Sequence, residues 1–163
     1  MPEETYRAIY AGSFKEVRGR LYSMLGSWPL AEDIAQEAFL KLYLKPPLDT
    51  GKARAWLYRV AANLALNWHR GEKRRVEREE RFPGNRLQEE PAEEAALRRI
   101  EAQKVQEVLQ RLGLRDRTCL FLKFAGFRYA EIARIVGIDP ATVGTVLARA
   151  QARFVREYQR LER

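Results

Sequence analysis

The chain has 163 residues and a mass of 19.0 kDa, enough for one domain of ordinary size or two small ones. Thirty Lys and Arg against 22 Asp and Glu leave a net charge of +8 and a pI near 9.9, the balance of a protein that meets nucleic acid or an anionic membrane surface. One cysteine, Cys119, and one histidine, His69, exclude an internal disulfide and a four-ligand zinc site, and any Cys–His or Ser–His–Asp system would have to use His69. No catalytic residue, metal or cofactor is therefore expected. No apolar run approaches the ~20 residues of a membrane span. The start, Met1 to Glu4, is acidic and has no signal-peptide pattern. A cytoplasmic protein without membrane insertion is the expectation.

Ala, Leu, Glu and Arg dominate and strand alternation is absent, so the elements read as helices near 3–25, 29–45, 51–75, 92–112, 115–126, 128–136 and 140–160. In the second helix, Pro29 suits the first turn and Pro46-Pro47 ends the element. Ile34, Ala35, Ala38, Phe39 and Leu42 form its core stripe, and Asp33, Gln36, Glu37 and Leu40 form an exposed acidic, amphipathic face. Such a face repels DNA and fits a protein partner with a basic surface. Acids favouring the helix dipole account for Glu32 and Asp33, but not for Gln36 and Leu40.

The third helix, from Lys52 to Arg75, places Leu57, Val60, Ala61, Leu64 and Trp68 on one stripe. Lys52, Trp56, Arg59, Asn63, Asn67, Arg70 and Arg74 fall on the other side. Asn side chains on a cationic stripe can bond base edges while the cations hold phosphates. Trp56 and Tyr58 would offer planar surfaces to unstacked bases. The alternative is a solvated polar face with both aromatics in the core.

From about Glu77 to Pro91 the chain reads as a linker: a charged run, the turn Phe82-Pro83-Gly84-Asn85, and acids ending in proline. A new helix opens at Ala92, with Ala96, Ile100, Val105, Val108, Leu109 and Leu112 in register. Charge follows the same division. Residues 1–50 carry 6 basic and 7 acidic residues (net −1), 51–76 carry 7 and 1 (+6), 77–107 carry 6 and 9 (−3), and 108–163 carry 11 and 5 (+6). Two basic blocks flanking an acidic stretch predict two nucleic-acid-facing modules. The fold class expected is all-α: two small helical domains joined by a flexible acidic linker, the second containing a helix-turn-helix. The 23 Arg against 7 Lys suit phosphate and guanine edges, although codon bias in a G+C-rich genome would give the same count.

The last motif runs from Tyr129 to Leu147 with helix-turn-helix spacing. Ala133 is small where two helices approach, Gly137 sits where the turn needs a left-handed backbone, and Ile138 plugs the core. Asp139 before Pro140 is a good N-cap. Val143, Val146, Leu147, Ala150 and Phe154 cluster on one side. Thr145, Ala148, Arg149, Ala152 and Arg156 face the other way, with Thr142 and Arg153 on the flank. A recognition helix needs that division. An ordinary helical hairpin with a solvated Arg face is the alternative. Cys119, in an apolar run, reads as a buried core thiol.

The segments Ala31 to Phe39, Trp56 to Asn67 and the helix-turn-helix, in that order, resemble the extracytoplasmic-function (ECF) sigma factors of the sigma-70 family. The resemblance covers nearly the whole chain outside the linker. It implies a region 2 domain at 1–76, a linker at 77–91 and a region 4 domain at 92–163. It also implies an initiation subunit of bacterial RNA polymerase that reads a −35 duplex and captures unstacked −10 bases to promote melting. Asp33, Gln36, Glu37 and Leu40 then match the contact with the clamp coiled coil of the largest polymerase subunit. The flap of the second-largest subunit and an anti-sigma factor are further implied partners.

For the −10 element the implied contacts are the capture loop Leu48, Asp49, Thr50, Gly51 and Lys52, and the stripe Arg59, Asn63, Asn67, Arg70 and Arg74. For −35 they are Thr142, Thr145, Arg149, Arg153 and Arg156. The linker would thread the RNA exit path. Gly144 and Val146 stand where the family often has cations, and Pro46-Pro47-Leu48 where it usually has Phe and Arg. Two other functions compete from the residues alone. A stand-alone dimeric helix-turn-helix regulator leaves the Asp33 face unexplained. A nucleic-acid hydrolase needs clustered carboxylates, and the chain has only 4 Asp.

Overall fold

A computed structural model describes residues 1–78 and 96–163, with side chains at 1–72 and 99–163. Seven α-helices are seen among the described residues: α1 (Glu3–Leu25), α2 (Trp28–Leu44), α3 (Ala53–Arg78), α4 (Ala96–Gln110), α5 (Leu114–Phe124), α6 (Tyr129–Val136) and α7 (Pro140–Glu162). A 3-10 turn at Thr50–Lys52 leads into α3. The expected linker from 79 onward, the helix start at Ala92 and the Arg74 side chain lie outside the described residues.

Local chemistry sets the boundaries. Glu3 and Glu4 favour the positive end of α1. Gly26 stops it at φ 76, its N–H bonding Tyr22 O at 2.7 Å. Ser27 then caps α2 by accepting from Leu30 N at 3.3 Å, with Pro29 in the first turn. The helix ends at Leu44, before Pro46. Gly137 breaks α6 at φ 79, and Asp139 caps α7 by accepting from Ala141 N at 2.8 Å.

The first module packs α1, α2 and α3 together. The stripe expected on α2 is wholly buried: Ile34, Ala35, Ala38, Phe39 and Leu42. Ala31, Ala35 and Ala38 on α2, and Ala61, Ala62 and Ala65 on α3, are all fully buried, because small side chains let these helices approach closely. Phe39 meets Tyr10 and Phe14 edge-on at 5.2 and 5.3 Å. In the second module, α5, α6 and α7 pack around Leu122, Ile132, Val143 and Leu147, and α4, which buries Val108, packs against α7. Arg111, just past the end of α4, ties to Glu157 of α7 at 2.8 Å.

The two modules are also packed on each other. The last carbonyls of α1 are bonded in turn by second-module side chains: Tyr22 O by Gln106 Nε2 (3.0 Å), Ser23 O by Gln110 Nε2 (3.4 Å) and Met24 O by Arg117 Nη1 (2.6 Å). The final turn of α1 has no basic residue of its own, so Arg117 supplies the cation that a helix C-terminus favours. Burial lowers the Arg117 pKa, and its Nε has no partner among the described residues. The rings of Tyr58 and Phe121 meet across the same seam at 5.2 Å.

Candidate nucleic-acid interface

The α3 stripe is exposed where it matters. Lys52, Arg59, Asn63, Asn67 and Arg70 all face solvent, and Asn67 Oδ1 accepts from Arg70 at 3.4 Å. The aromatics resolve toward the core. Tyr58, read as a surface for unstacked bases, is 0% exposed and cannot serve as one. Its position falls between the two stripes of α3, and α1 and α5 cover it. Trp56 is half-buried and packs against the core.

Tyr58 has a different task. Its hydroxyl donates to Glu16 Oε1 at 2.9 Å, and Arg54 Nη2 reaches the same oxygen at 2.7 Å. Arg20 approaches it at 3.3 Å. Burial first, then the Glu16 bond, pushes the phenol up to about 12, so it stays a donor. The Arg54 bond holds the Glu16 carboxyl below its usual value. This cluster pins the first turns of α3 on α1 and sets the rotation of the basic stripe. Glu16, on a helix without a sequence motif, was not foreseen.

Before α3 the loop is short and braced. Asp49 Oδ1 accepts from Gly51 N at 2.9 Å, and Lys52 N bonds Asp49 O at 3.1 Å. Leu48 stands at its tip fully in solvent, and Asp49, Thr50 and Gly51 are exposed as well.

The α2 face of Asp33, Gln36, Glu37 and Leu40 is exposed throughout. Gln36 donates to Glu32 at 3.1 Å, Glu32 pairs with Arg18 at 3.0 Å, and Glu37 faces Lys41 at 3.6 Å. Tyr43 and Leu44, 53% and 65% exposed, extend the stripe by another turn. Their i+3 and i+4 spacing from Leu40 was the signal that could have found them.

On α7 the division between faces is complete. Val143, Val146, Leu147 and Ala150 are buried. Thr142, Thr145, Ala148, Arg149, Ala152, Arg153 and Arg156 are exposed. Val146 is 3% exposed, so the departure noted there falls in the core and removes nothing from the reading face. Arg70 of the first module and Arg153 of the second line one cleft of about 520 Å³ with His69 and Arg115.

No group of His, Cys, Asp and Glu among the described residues could hold a metal ion. The Cys119 thiol is buried, and burial pushes it up to about 11, away from the reactive thiolate. No helix among the described residues is long and apolar enough to cross a membrane.

Residues 10–75 match the model of sigma-70 region 2, and residues 102–153 that of sigma-70 region 4. The chain is 28% identical over 160 residues to the ECF RNA polymerase sigma factor SigM of Bacillus subtilis, covering 96% of each. It is 33% identical over 145 residues to the RNA polymerase sigma-H factor of Pseudomonas aeruginosa, covering 82% of this chain and 75% of that one. Among solved structures, the sigma factor RpoE of Bartonella quintana, in complex with the anti-sigma factor NepR, superposes with a TM-score of 0.73. That match is 21% identical and covers 97% of this chain and 98% of the other.

Proposed function

The chain belongs to the sigma-70 family, as an ECF sigma factor and hence a non-enzymatic transcription initiation factor for RNA polymerase and promoter DNA, and on that premise we propose how its two modules divide the work. Residues 1–76 form the polymerase-docking and −10 module, 77–91 the linker, and 92–163 the −35 module. It acts in the cytoplasm, where polymerase and promoter meet. Asp33, Gln36, Glu37 and Leu40 dock on the clamp coiled coil of the largest polymerase subunit, with charge and one apolar anchor on the same helix face. The second module docks near the flap of the second-largest subunit. The surface is also open to an anti-sigma factor.

Strand capture follows from what α3 offers. Asn63 and Asn67 carry both donor and acceptor groups for exposed base edges, and Lys52, Arg59 and Arg70 hold the phosphates. Arg74 would extend that track. Leu48, projecting from the braced loop 48–52, supplies an apolar contact for a base turned out of the stack. Unstacking a base costs a few kcal/mol, and contacts made only with the open strand offset it. Melting is thereby favoured without any bond being made or broken. On the duplex side, Thr142, Thr145 and Arg149 read base edges while Arg153 and Arg156 hold phosphates.

The observation that carries this reading is the pair of exposed cationic faces on separate modules, one bearing Asn63 and Asn67 and the other Thr145 and Arg149. It has a geometric consequence. Elements named −35 and −10 lie about 25 base pairs apart, or roughly 85 Å at 3.4 Å per pair. Arg70 and Arg153 share one cleft in the packed arrangement. The modules therefore separate along the linker before both elements are engaged. The test is Asn63→Ala with Asn67→Ala in holoenzyme. Permanganate reactivity of the melted region should fall while binding to a −35-only duplex holds, and equal loss of both would sink the division of labour.

A further inference from the structure

We propose that Lys123 of α5 is a phosphate contact of the −35 module, held in place by the ring of Tyr129 and serving the first turns of α7, which carry no cation of their own. The inference rests on the −35 reading above and adds a residue from outside the reading helix. From Pro140 to Arg149 the exposed side chains of α7 are short, and the first cation is Arg149. At 1.5 Å per residue that leaves the leading ~13 Å of the helix uncharged. This is the end that enters the groove of a helix-turn-helix site, between two rows of phosphates.

Lys123 lies beside that end. Its Nζ sits 5.1 Å from the centroid of the Tyr129 ring. The same ring covers Gly144 on the second turn of α7: a Cβ at Gly144 would stand 3.4 Å from Tyr129 Cε2. The contacts run Lys123, Tyr129, Gly144, and they bring an ammonium from α5 to the flank of the reading face. Gly144 leaves room for the ring, and a longer side chain there would compete with it. Tyr129 is 44% exposed and Lys123 is exposed, and no carboxylate among the described residues pairs with the lysine. A cation resting on an aromatic face keeps its charge and loses part of its freedom before DNA arrives, which lowers the ordering cost of the contact.

The experiment uses holoenzyme assembled from the full chain, with affinity for a −35-bearing duplex measured over a salt series. Lys123→Gln should make the slope of log affinity against log salt shallower by about 0.9. That slope change corresponds to about eightfold weaker binding at 0.1 M salt, referred to 1 M. The loss should be equal across −35 sequences, and Lys123→Arg should restore both quantities. Tyr129→Phe should bind as the unmodified chain does, and Tyr129→Leu should lose part of the effect. Arg156→Gln runs in parallel as the phosphate contact of the underlying reading. An unchanged slope in Lys123→Gln beside a shallower one in Arg156→Gln overturns the Lys123 assignment alone. No change in either variant overturns the −35 reading itself. A changed base preference in Lys123→Gln also overturns the phosphate role.

Discussion

Replacing Arg117 by methionine should loosen the contact between the two modules without unfolding either. The thioether keeps much of the apolar stem and removes the guanidinium. Two bonds go: the 2.6 Å bond to Met24 O, which crosses the seam, and the bond to Gln110 Oε1, which lies within the second module beside the Gln110 contact to Ser23 O. Hydrogen bonds from a charged donor contribute about 1.5–3 kcal/mol each. Against that loss stands a gain, because the guanidinium is partly buried with Nε unpartnered among the described residues, and such a group costs about 1–3 kcal/mol. Only the Met24 bond is lost when the modules part, so the net shift toward separated modules is on the order of 1 kcal/mol, about fivefold in the equilibrium. Energy transfer between dyes on Glu4→Cys and Gln159→Cys reads it directly, since the buried Cys119 should not label. Transfer should fall while helicity is retained. Affinity for core polymerase and promoter should rise by up to the same factor, because the competent form is more populated. Unchanged transfer efficiency with normal helicity would refute the idea that Arg117 holds the seam.

Gln36→Ala with Glu37→Lys should weaken co-elution with core polymerase and leave the circular dichroism spectrum unchanged, since both side chains are exposed. Arg149→Ala should relax preference at one −35 base pair by ~1–3 kcal/mol, the worth of a bidentate Arg–guanine contact. Arg156→Ala should weaken all sequences about equally, and a library of −35 elements selected with each holoenzyme separates the two. The Glu16 pKa is lowered in the folded state, so its contribution to stability is present above the unfolded value and is lost as pH falls through the folded one. Glu16→Gln should therefore flatten the acid limb of the melting-temperature profile. A limb as steep as that of the unmodified chain would count against the Glu16–Arg54–Tyr58 cluster as its source.

Much of this fold was legible along the chain because helices are local. The apolar spacing of Ile34, Ala38 and Leu42, the caps at Gly137 and Asp139, and the two faces of α7 follow from 3.6-residue periodicity and backbone sterics, which need no distant partner. The polar stripe of α3 and the acidic face of α2 were readable for the same reason. Tyr58 was not, because its burial comes from Glu16 of α1 and Phe121 of α5, 42 and 63 positions away. Val146, which periodicity placed on the packing side of α7, is buried there, and only the family pattern of a cation at that position pointed elsewhere. The seam between the modules was invisible too. Gln106, Gln110 and Arg117 look like ordinary solvated residues until the last carbonyls of α1 arrive beside them. Periodicity decides which way a helix face points. Only the assembled structure decides what stands opposite it, because burial depends on groups that the chain brings together from far apart.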